Sequence, residues 1–339
     1  MASTKVNIVT YNVLSSHLAG ADYFTNCDPQ YLKAEYRLDL LKKILEEKID
    51  ENAVICLQEI STLWSGNLQP FFIDRGYCMI DTHYGGKFNG NMGVAIAFPL
   101  KKYKLQNLDI TCIADTKYMP RKPKLTYFGK LYSNVWSYVS DMLNWVGLVA
   151  KVDNPWSHAL RRNNRMITAR LSPLSDLNKK FVVGTYHMPC MFRLPGVMLI
   201  HSALSAQHIH KFAGGDPYMY VGDFNIKPDS SMYQLLTTGA VEEIHPEVPK
   251  NEPGDNYKLQ VTPLRSAYKV LQGKEPDFTN NAQIRDDEPF IDTLDYIFMS
   301  QQWEVDSVDE LPNRTAMKGP LPIRNEPSDH LLLAAKVRF

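Results

Sequence analysis

The stretch Tyr220–Asn225 reads YVGDFN, and the interpretation of the whole chain starts from it. An apolar run ends at Gly222, and a carboxylate at Asp223 and a carboxamide at Asn225 follow. Side chains two residues apart face the same side of an extended strand, so both groups are predicted to lie together at a strand end. There they could accept a proton, hold a metal ion or donate to a phosphate oxygen. Because Gly, Asp and Asn are also ordinary turn residues, the stretch needs support from the rest of the chain.

Similar fragments stand at the ends of other apolar runs. Each presents a polar or ionisable residue where burial without a partner would cost several kcal/mol. Taken alone, each residue has an ordinary interpretation, such as a turn cap or a buried histidine. Taken together, they predict convergence on a phosphate and a cation, and oxygen ligands favour Mg²⁺ or Mn²⁺ over zinc. The candidate residues are Asn12, Glu59, His187, Asp223, Asn225, Asp295, Asp329 and His330.

Apolar, β-branched runs recur along the whole chain and predict buried strands. An amphipathic helix is predicted over 32–49 and a second helix over 195–212. Strands and helices are mixed without a Pro/Ser-rich linker, which predicts one α/β domain over residues 1–339. The predicted strands are 6–11, 53–57, 93–98, 166–171, 181–186, 218–221, 294–299 and 331–337.

Charge is balanced overall but not along the chain. Residues 115–170 hold ten Lys and Arg against three Asp and Glu, so this segment is +7 and the remainder is −7. A basic segment suits a phosphate-rich ligand, although a solvated surface explains the charge equally well. On the first interpretation, Arg161, Arg162 and Arg165 contact a nucleic-acid backbone.

Five cysteines without a CxxC pair are typical of a reduced, intracellular protein without a structural zinc site. The sequence has neither a signal-peptide pattern nor an apolar run long enough to span a bilayer, so we expect a cytoplasmic or nuclear protein. An apolar, aromatic stripe over 127–149 predicts a helix that covers the core, or else a lid or a membrane-interface helix.

The order of the candidate residues resembles the endonuclease/exonuclease/phosphatase superfamily. Within it, the chain is similar to the carbon-catabolite-repressor-type deadenylases and their relatives nocturnin, the angel proteins and 2',5'-phosphodiesterase. The resemblance covers nearly the whole chain except a predicted insertion around 115–158. It rests on the fragments 57–60 (LQEI), 264–268 (LRSAY), 275–280 (EPDFTN), 295–298 (DYIF) and 327–330 (PSDH).

This resemblance implies a DNase I-like four-layer sandwich, with two mixed β-sheets packed face to face and helices outside. The yeast-type deadenylase carries a leucine-rich-repeat region ahead of its nuclease domain. The present sequence contains no such repeat. We therefore expect a monomer without that means of docking to a deadenylase complex.

The resemblance also implies roles for the metal-proximal residues. Glu59 would hold the catalytic metal, Mg²⁺ or alternatively Mn²⁺, and Asp329 would contact a metal directly or through water. Asn12 would fix the metal shell or a phosphate oxygen. Asp223, aided by Asn225, would orient or deprotonate the attacking water.

The remaining roles concern the phosphate and the base. His330, oriented by Asp295, would donate to a non-bridging phosphate oxygen, and His187 would bind the phosphate from the other side. Phe278 would either stack a base or pack in the core. No organic cofactor and no covalent intermediate is needed.

Three functions are compatible with this pattern. The first is a metal-dependent 3'-to-5' exoribonuclease of the deadenylase type on single-stranded RNA. The second is a phosphatase or phosphodiesterase on a small nucleotide, a 2',5'-oligoadenylate, a cyclic-phosphate RNA end or a lipid headgroup. The third is a non-catalytic RNA-binding module, which the complete set of ionisable residues disfavours. Fold alone does not separate the first two.

Overall fold

The computed structural model describes residues 3–117, 154–251, 257–317 and 319–339. The stripe predicted over 127–149 and most of the predicted insertion lie outside these ranges. The strands are β1 Lys5–Asn12, β2 Val54–Ile60, β3 Tyr77–His83, β4 Gly93–Pro99, β5 Tyr103–Cys112, β6 Arg165–Pro173, β7 Phe181–His187, β8 Tyr218–Asp223, β9 Arg265–Ser266, β10 Asn280–Ala282, β11 Phe290–Asp292, β12 Asp295–Met299, β13 Glu304–Val308 and β14 Leu333–Arg338. The helices are α1 Pro29–Leu32, α2 Ala34–Asp50, α3 Thr62–Ile73, α4 Pro155–Ala159, α5 Pro195–Ala213, α6 Ser231–Thr238 and α7 Ala267–Gln272.

The strands form two six-stranded sheets and a short hairpin of β10 and β11. The first sheet has the order β13-β14-β1-β2-β4-β3, and the second has the order β5-β6-β7-β8-β12-β9. Each sheet is mixed, because β1 and β2 run parallel in the first, β7 and β8 run parallel in the second, and the other neighbours are antiparallel.

Three apolar layers separate the sheets and helices. Side chains from both sheets, such as Cys56 and Val221, pack together in the central layer. A second layer packs α2 and α3 on the outer face of the first sheet, and a third packs α5 and α6 on the outer face of the second. The result is the predicted DNase I-like sandwich of two mixed sheets with helices outside. In the described ranges, no helix combines the length and the apolar character needed to cross a membrane.

Helix α5 carries one buried histidine that the site does not use. His201 Nε2 donates to the Ala159 carbonyl at 2.9 Å, so its Nδ1 accepts from the Tyr186 hydroxyl at 2.8 Å. The ring is therefore neutral, and burial is the main reason that the pKa of His201 falls to about 4. Its role here is packing.

This histidine predicts acid sensitivity. In the unfolded chain its pKa is the ordinary one, so the unfolded state binds the extra proton first and stability falls as pH drops from about 6.5 to about 4. We expect the His201→Gln variant to lose less unfolding free energy than the wild type over this window, by up to about 1.4 kcal/mol per pH unit. Urea unfolding at several pH values measures this, and parallel curves for the two proteins would contradict it.

Candidate active site

Strand register brings the predicted site residues to one edge of the sandwich. His187 and Asp223 are paired at the ends of the parallel strands β7 and β8, and Asp295 faces Asp223 at the start of antiparallel β12. In the other sheet, Asn12 ends β1 beside Gln58 on β2. Because the carboxyl ends of parallel strands lie at one edge, the two sheets deliver their polar termini to the same cleft.

Glu59 reaches this cleft through a local break in the strand pattern. It is the extra residue of a bulge in β2, since Gln58 pairs with Val94 and Ile60 pairs with Gly93. Its φ of 60° lies in the left-handed region, which costs a non-glycine residue about 1–3 kcal/mol. The bulge redirects the Glu59 side chain, as bulges beside functional sites commonly do.

Gly222 allows the two central strands of the second sheet to approach closely. Its φ is 149°, and a Cβ added there would lie 1.9 Å from the backbone oxygen of Tyr186. The glycine in the YVGDFN stretch is therefore required by the backbone of β7 and not only by a turn.

We therefore predict that Gly222→Ala destabilises the fold by roughly 2–5 kcal/mol and displaces Asp223, because the clash is with backbone that cannot rotate away. Gly66→Ala is the matched control, since Gly66 lies in α3 with no atom within 4 Å of an added Cβ. That change should be neutral or slightly stabilising. Equal melting temperatures for the two variants would refute the argument.

Asn12 lies at the centre of the site. Its Nδ2 donates to Glu59 Oε1 at 3.1 Å and to Asp223 Oδ2 at 2.9 Å, and it lies 3.4 Å from His330 Nε2. Its Oδ1 accepts from the Leu14 backbone N–H at 3.0 Å, which fixes the orientation of the amide. The predicted role of Asn12, fixing the metal shell or a phosphate oxygen, stays a prediction. In this arrangement its amide nitrogen orients the two carboxylates.

Among the residues that the structure describes, two groups of side chains are close enough to hold a metal ion. In each group the ligand atoms lie within 4.8 Å of one another, and Asp223 belongs to both. The first joins Glu59, His187 and Asp223, and the second joins Asp223, Asp295 and His330. Asp329 is in neither group, although it lines the same cavity. Its predicted metal contact, direct or through water, stays a prediction.

His330 is oriented by the carboxylate of Asp295, which is itself fixed by a hydrogen bond from Thr279. Its Nδ1 lies 2.8 Å from Asp295 Oδ2, which also accepts from Thr279 Oγ1 at 2.7 Å. Burial by itself would lower the pKa of His330, but Asp295, Asp223 and Asp329 outweigh burial and raise that pKa well above its ordinary value. His330 therefore carries its proton at neutral pH and presents Nε2–H to the cleft, 3.7 Å from Asp223 Oδ2.

His187 faces Asp223 from the opposite side. Its Nε2 lies 3.5 Å from Asp223 Oδ2 and 4.0 Å from Glu59 Oε1, and its Nδ1 is 2.6 Å from the Tyr84 hydroxyl. Asn164 Nδ2 donates to the His187 carbonyl at 2.9 Å. Sequence reasoning missed Tyr84 and Asn164, because neither stands at the end of an apolar run.

Asn225 supports Asp223 through the backbone. Its N–H donates to Asp223 Oδ1 at 2.9 Å, and its side chain donates to the Met188 carbonyl at 3.0 Å. The left-handed φ of 53° at Asn225 makes this tight turn. The carboxamide lines the cavity, but its nitrogen already has a partner. The main effect of Asn225 here is to hold Asp223 in one orientation through the backbone N–H.

A cavity of 700 Å³ opens onto these residues, and its apolar wall was not foreseen. Phe192 and Phe290 lie on that wall with ring centroids 6.4 Å apart, and Phe88 is 79% exposed at its edge. Phe278, in contrast, is fully buried against Leu321. The prediction that Phe278 stacks a base is therefore wrong, and its alternative role in core packing is correct.

The three arginines that were predicted to contact a nucleic-acid backbone lie in two different places. Arg161 and Arg162 line a second, smaller cavity that reaches His187. Arg165 begins β6, is exposed, and lines neither this cavity nor the larger one. A nucleic-acid contact by any of them stays a prediction at this point.

Arg37 is a buried charge that sequence reasoning also missed. From α2, its Nη2 donates to the carbonyls of Val13, at 2.7 Å, and Leu14, and its Nε donates to the Pro327 carbonyl at 2.6 Å. Burial lowers the pKa of Arg37 to about 10, so the guanidinium stays charged at neutral pH. It joins the loop that follows Asn12 to the loop that leads to His330.

The donor set fits a hard divalent cation. Glu59 and Asp223 offer carboxylate oxygens with only small exposed fractions, 13% and 2% of their side chains. Buried carboxylates this close together repel each other unless a cation or hydrogen-bond donors intervene, and Asn12 supplies the donors here. Oxygen donors at this density suit Mg²⁺ or Mn²⁺ better than a thiolate-preferring metal.

Comparison with known proteins agrees with this geometry. The model of the Endonuclease/Exonuclease/phosphatase family matches residues 9–330, a range that contains every residue of the two metal-binding groups. The chain belongs to the endonuclease/exonuclease/phosphatase family. Among curated members, 2',5'-phosphodiesterase 12 of Homo sapiens is 25% identical over an alignment of 355 positions that covers 98% of this chain and 52% of that protein.

A second curated relative is Carbon catabolite repressor protein 4 homolog 1 of Arabidopsis thaliana. It is 25% identical over an alignment of 375 positions that covers 98% of this chain and 57% of that protein. The chain thus spans about half the length of the curated relatives it matches.

Solved structures of this family share the fold. ANGEL2, described as a 2',3'-cyclic phosphatase and crystallised with adenosine-2',3'-vanadate, superposes with a TM-score of 0.72 at 20% identity, over 99% of this chain and 96% of that chain. The human nocturnin catalytic domain with bound sulfate gives 0.61 at 21% identity, over 98% and 93%. At such identities the likeness establishes the fold alone.

Proposed function

We propose that this chain is a metal-dependent phosphodiesterase that removes nucleotides from the 3' end of single-stranded RNA. The observation that carries the proposal is the convergence of Glu59, Asp223, His187 and His330 within a few ångströms, beside a cavity with an aromatic wall. Carboxylates, imidazoles and an amide at this density suit a phosphate and a cation together. A relative named as the 3'-5'-exoribonuclease subunit Ccr4 of the CCR4-Not complex supports RNA as the substrate.

Each residue has a proposed role that follows from its charge. Glu59 would hold Mg²⁺, with Mn²⁺ as the alternative, and the ion would neutralise charge on the phosphate and on the leaving oxygen. Asp223 accepts a proton from the attacking water, because its Oδ2 faces the cleft while Asn12 and Asn225 fix its orientation. His330, charged at neutral pH, donates to a non-bridging phosphate oxygen.

His187 contacts the phosphate from the side opposite His330, with Tyr84 fixing its ring. A base enters the cavity against Phe192 and Phe290, the role first expected of Phe278. Stacking of this kind is worth about 1–3 kcal/mol per base and tolerates any base.

A second candidate has its own support. The curated relatives include several 2',5'-phosphodiesterases, and one structural neighbour is described as a 2',3'-cyclic phosphatase. The same charged groups would serve 2',5'-linked oligoadenylate or a cyclic-phosphate RNA end. The charged groups do not distinguish these substrates from 3',5'-linked RNA, so turnover separates the two candidates.

Three further features belong to the proposal. Residues 1–339 form one catalytic domain, which is supported by the apolar layer shared between both sheets. The protein works as a monomer. It acts in the cytoplasm or nucleus, in keeping with its free cysteines.

Initial rates on five substrates test the proposal. They are poly(A), mixed-sequence RNA, 2',5'-oligoadenylate, cyclic-phosphate-ended RNA and NADP, each with Mg²⁺, Mn²⁺ or EDTA. We expect the two linear 3',5'-linked RNAs to be shortened from the 3' end, with activity lost in EDTA. Cleavage of circular RNA would instead indicate an endonuclease. Preference for the 2',5'-linked or cyclic substrate would transfer the proposal to the second candidate.

A further inference from the structure

A second cavity of 390 Å³ adjoins the catalytic cavity. The two share Phe88, Met92, His187 and Cys190 in their walls, so they form one continuous depression with His187 at the junction. The second cavity lies between the loop 84–92, the turn 161–164 and the segment 187–190. We call it the arginine groove, after the two arginines of that turn.

The two cavities differ in charge. The catalytic cavity is lined by four acidic residues, Asp22, Glu59, Asp223 and Asp329. The arginine groove contains Arg161 and Arg162 and no acidic side chain in its lining. Among the residues that the structure describes, neither arginine makes an ion pair with a carboxylate.

Arg162 has unused hydrogen-bonding capacity next to the groove. Its Nε is buried without an acceptor, and its Nη2 lies 2.8 Å from Met191 Sδ, a weak acceptor. Leaving a guanidinium donor buried and unsatisfied is costly, and an anionic oxygen would satisfy it. Arg161 is exposed at the groove edge and adds a second positive charge.

The groove is held in a fixed relation to the catalytic histidine. Asn164, in the same turn as the arginines, donates to the His187 carbonyl at 2.9 Å. The loop 84–92, which forms the opposite wall, packs tightly on itself at Gly85, where an added Cβ would lie 2.4 Å from Asn89 Oδ1 and 2.7 Å from the Met92 backbone nitrogen. A ligand that spans both cavities would thus meet a rigid charge pattern.

We propose that the arginine groove binds a second phosphate of an oligonucleotide whose scissile phosphate lies between His187 and His330. The inference rests on the proposed function and narrows its substrate to chains with at least two phosphates. Phosphate contacts by arginine position a nucleic acid without reading its bases, so the groove sets substrate length and not sequence.

Short RNAs of one sequence test this directly. The set is a dinucleotide, the trinucleotide made by extending it with one nucleotide at the 5' end, and that trinucleotide with a neutral methylphosphonate at the linkage on the 5' side of the scissile one. For the wild type, we expect kcat/KM to rise about 10- to 100-fold from the dinucleotide to the trinucleotide, and the methylphosphonate to abolish the rise. In Arg161→Gln/Arg162→Gln the trinucleotide-to-dinucleotide ratio should fall toward one.

The control variant Lys101→Gln/Lys104→Gln removes the same charge from the far end of the sheets, in and after the β4–β5 turn. It should keep the wild-type ratio, and thermal melts verify that both double variants fold. Arg162→Lys retains charge without the planar fork and should give an intermediate ratio. An unchanged ratio in the arginine variant, or no rise in the wild type, overturns the inference.

Binding separates this inference from the proposed function. Wild-type protein that cleaves none of the RNAs in Mg²⁺ or Mn²⁺ would contradict the proposed function. In that case, titration with the trinucleotide and its methylphosphonate form still decides whether the groove binds phosphate. Weaker binding of the neutral form by the wild type, but not by the arginine variant, supports the groove. Equal affinities overturn it.

Discussion

Replacing Glu59 with glutamine is expected to lower kcat/KM by roughly a thousandfold or more while the protein stays folded. Glu59 supplies a carboxylate oxygen to the group shared with His187 and Asp223, and glutamine keeps the size but loses the charge that holds a divalent cation. Its second oxygen accepts only the Ser15 backbone N–H, at 3.1 Å, so the structural loss is small. The measurement is initial rate on RNA over a wide Mg²⁺ range.

A readout independent of turnover accompanies it. Mg²⁺ that binds the native state raises the melting temperature of the wild type by mass action, and this shift should disappear in Glu59→Gln. Glu47→Gln, on the exposed face of α2, changes charge equally and should keep both the rate and the shift. A Glu59→Gln protein with near-wild-type rate at ordinary Mg²⁺ would show that the metal is held elsewhere.

The second large effect is expected from Arg37→Met. The change leaves three carbonyl groups without their donor, so we expect the unfolding free energy to fall by about 3–5 kcal/mol. The carbonyls belong to the loops that carry Asn12 and His330 into the cleft. Activity should therefore fall further than the fraction of unfolded protein explains.

Urea unfolding and single-temperature rates measure the two losses separately. Arg37→Lys keeps the charge but bridges fewer carbonyls, so it should lie between the wild type and Arg37→Met. Arg75→Met is the control, because Arg75 forms a partly exposed pair with Glu46 on the outer helix layer. That variant should change stability by only about 1 kcal/mol. If Arg37→Met were as stable as the wild type, the two loops that Arg37 joins would not depend on it for their position.

Sequence could predict the strands that are buried on both faces. The runs at 6–11, 53–57 and 181–186 are continuous apolar segments. The first and third lie within an observed strand, and the second overlaps β2, which begins one residue later, at Val54. Strand β5 was missed because most of its residues are partly or fully exposed, which removes the apolar signal. The observed strands also extend beyond the predicted runs by one or more polar residues, because Asn12 and His187 still pair with the neighbouring strands.

Within the site, sequence could predict which residues converge but not how each is oriented. The ends of strands located Glu59, Asp223 and His330 because polar groups there need partners. The amide orientation of Asn12 depends on one backbone N–H of the next loop, which no periodicity encodes. The contrast between buried Phe278 and the cavity-facing Phe290 depends likewise on how the β10–β11 hairpin folds against the sheets.

Arg37 had a signal that could have been used. It stands four residues before Leu41 and eight before Leu45, on the stripe that α2 buries. An arginine on an apolar stripe either disrupts the helix packing or satisfies several buried acceptors, and α2 shows the second outcome. The only sequence signal for the two groove arginines was the net positive charge of residues 115–170, which does not distinguish a ligand site from a solvated surface.

The pairing of β1 with β14 has a consequence for synthesis. Lys5 lies opposite Arg338, and Ser328 Oγ donates to the Asn12 carbonyl at 2.6 Å, so more than three hundred residues must follow β1 before its outer edge is covered. A growing polypeptide on the ribosome therefore has Asn12 and Glu59 long before it has His330. Under the proposed activity, the catalytic residues are therefore complete only after residue 330 has been synthesised.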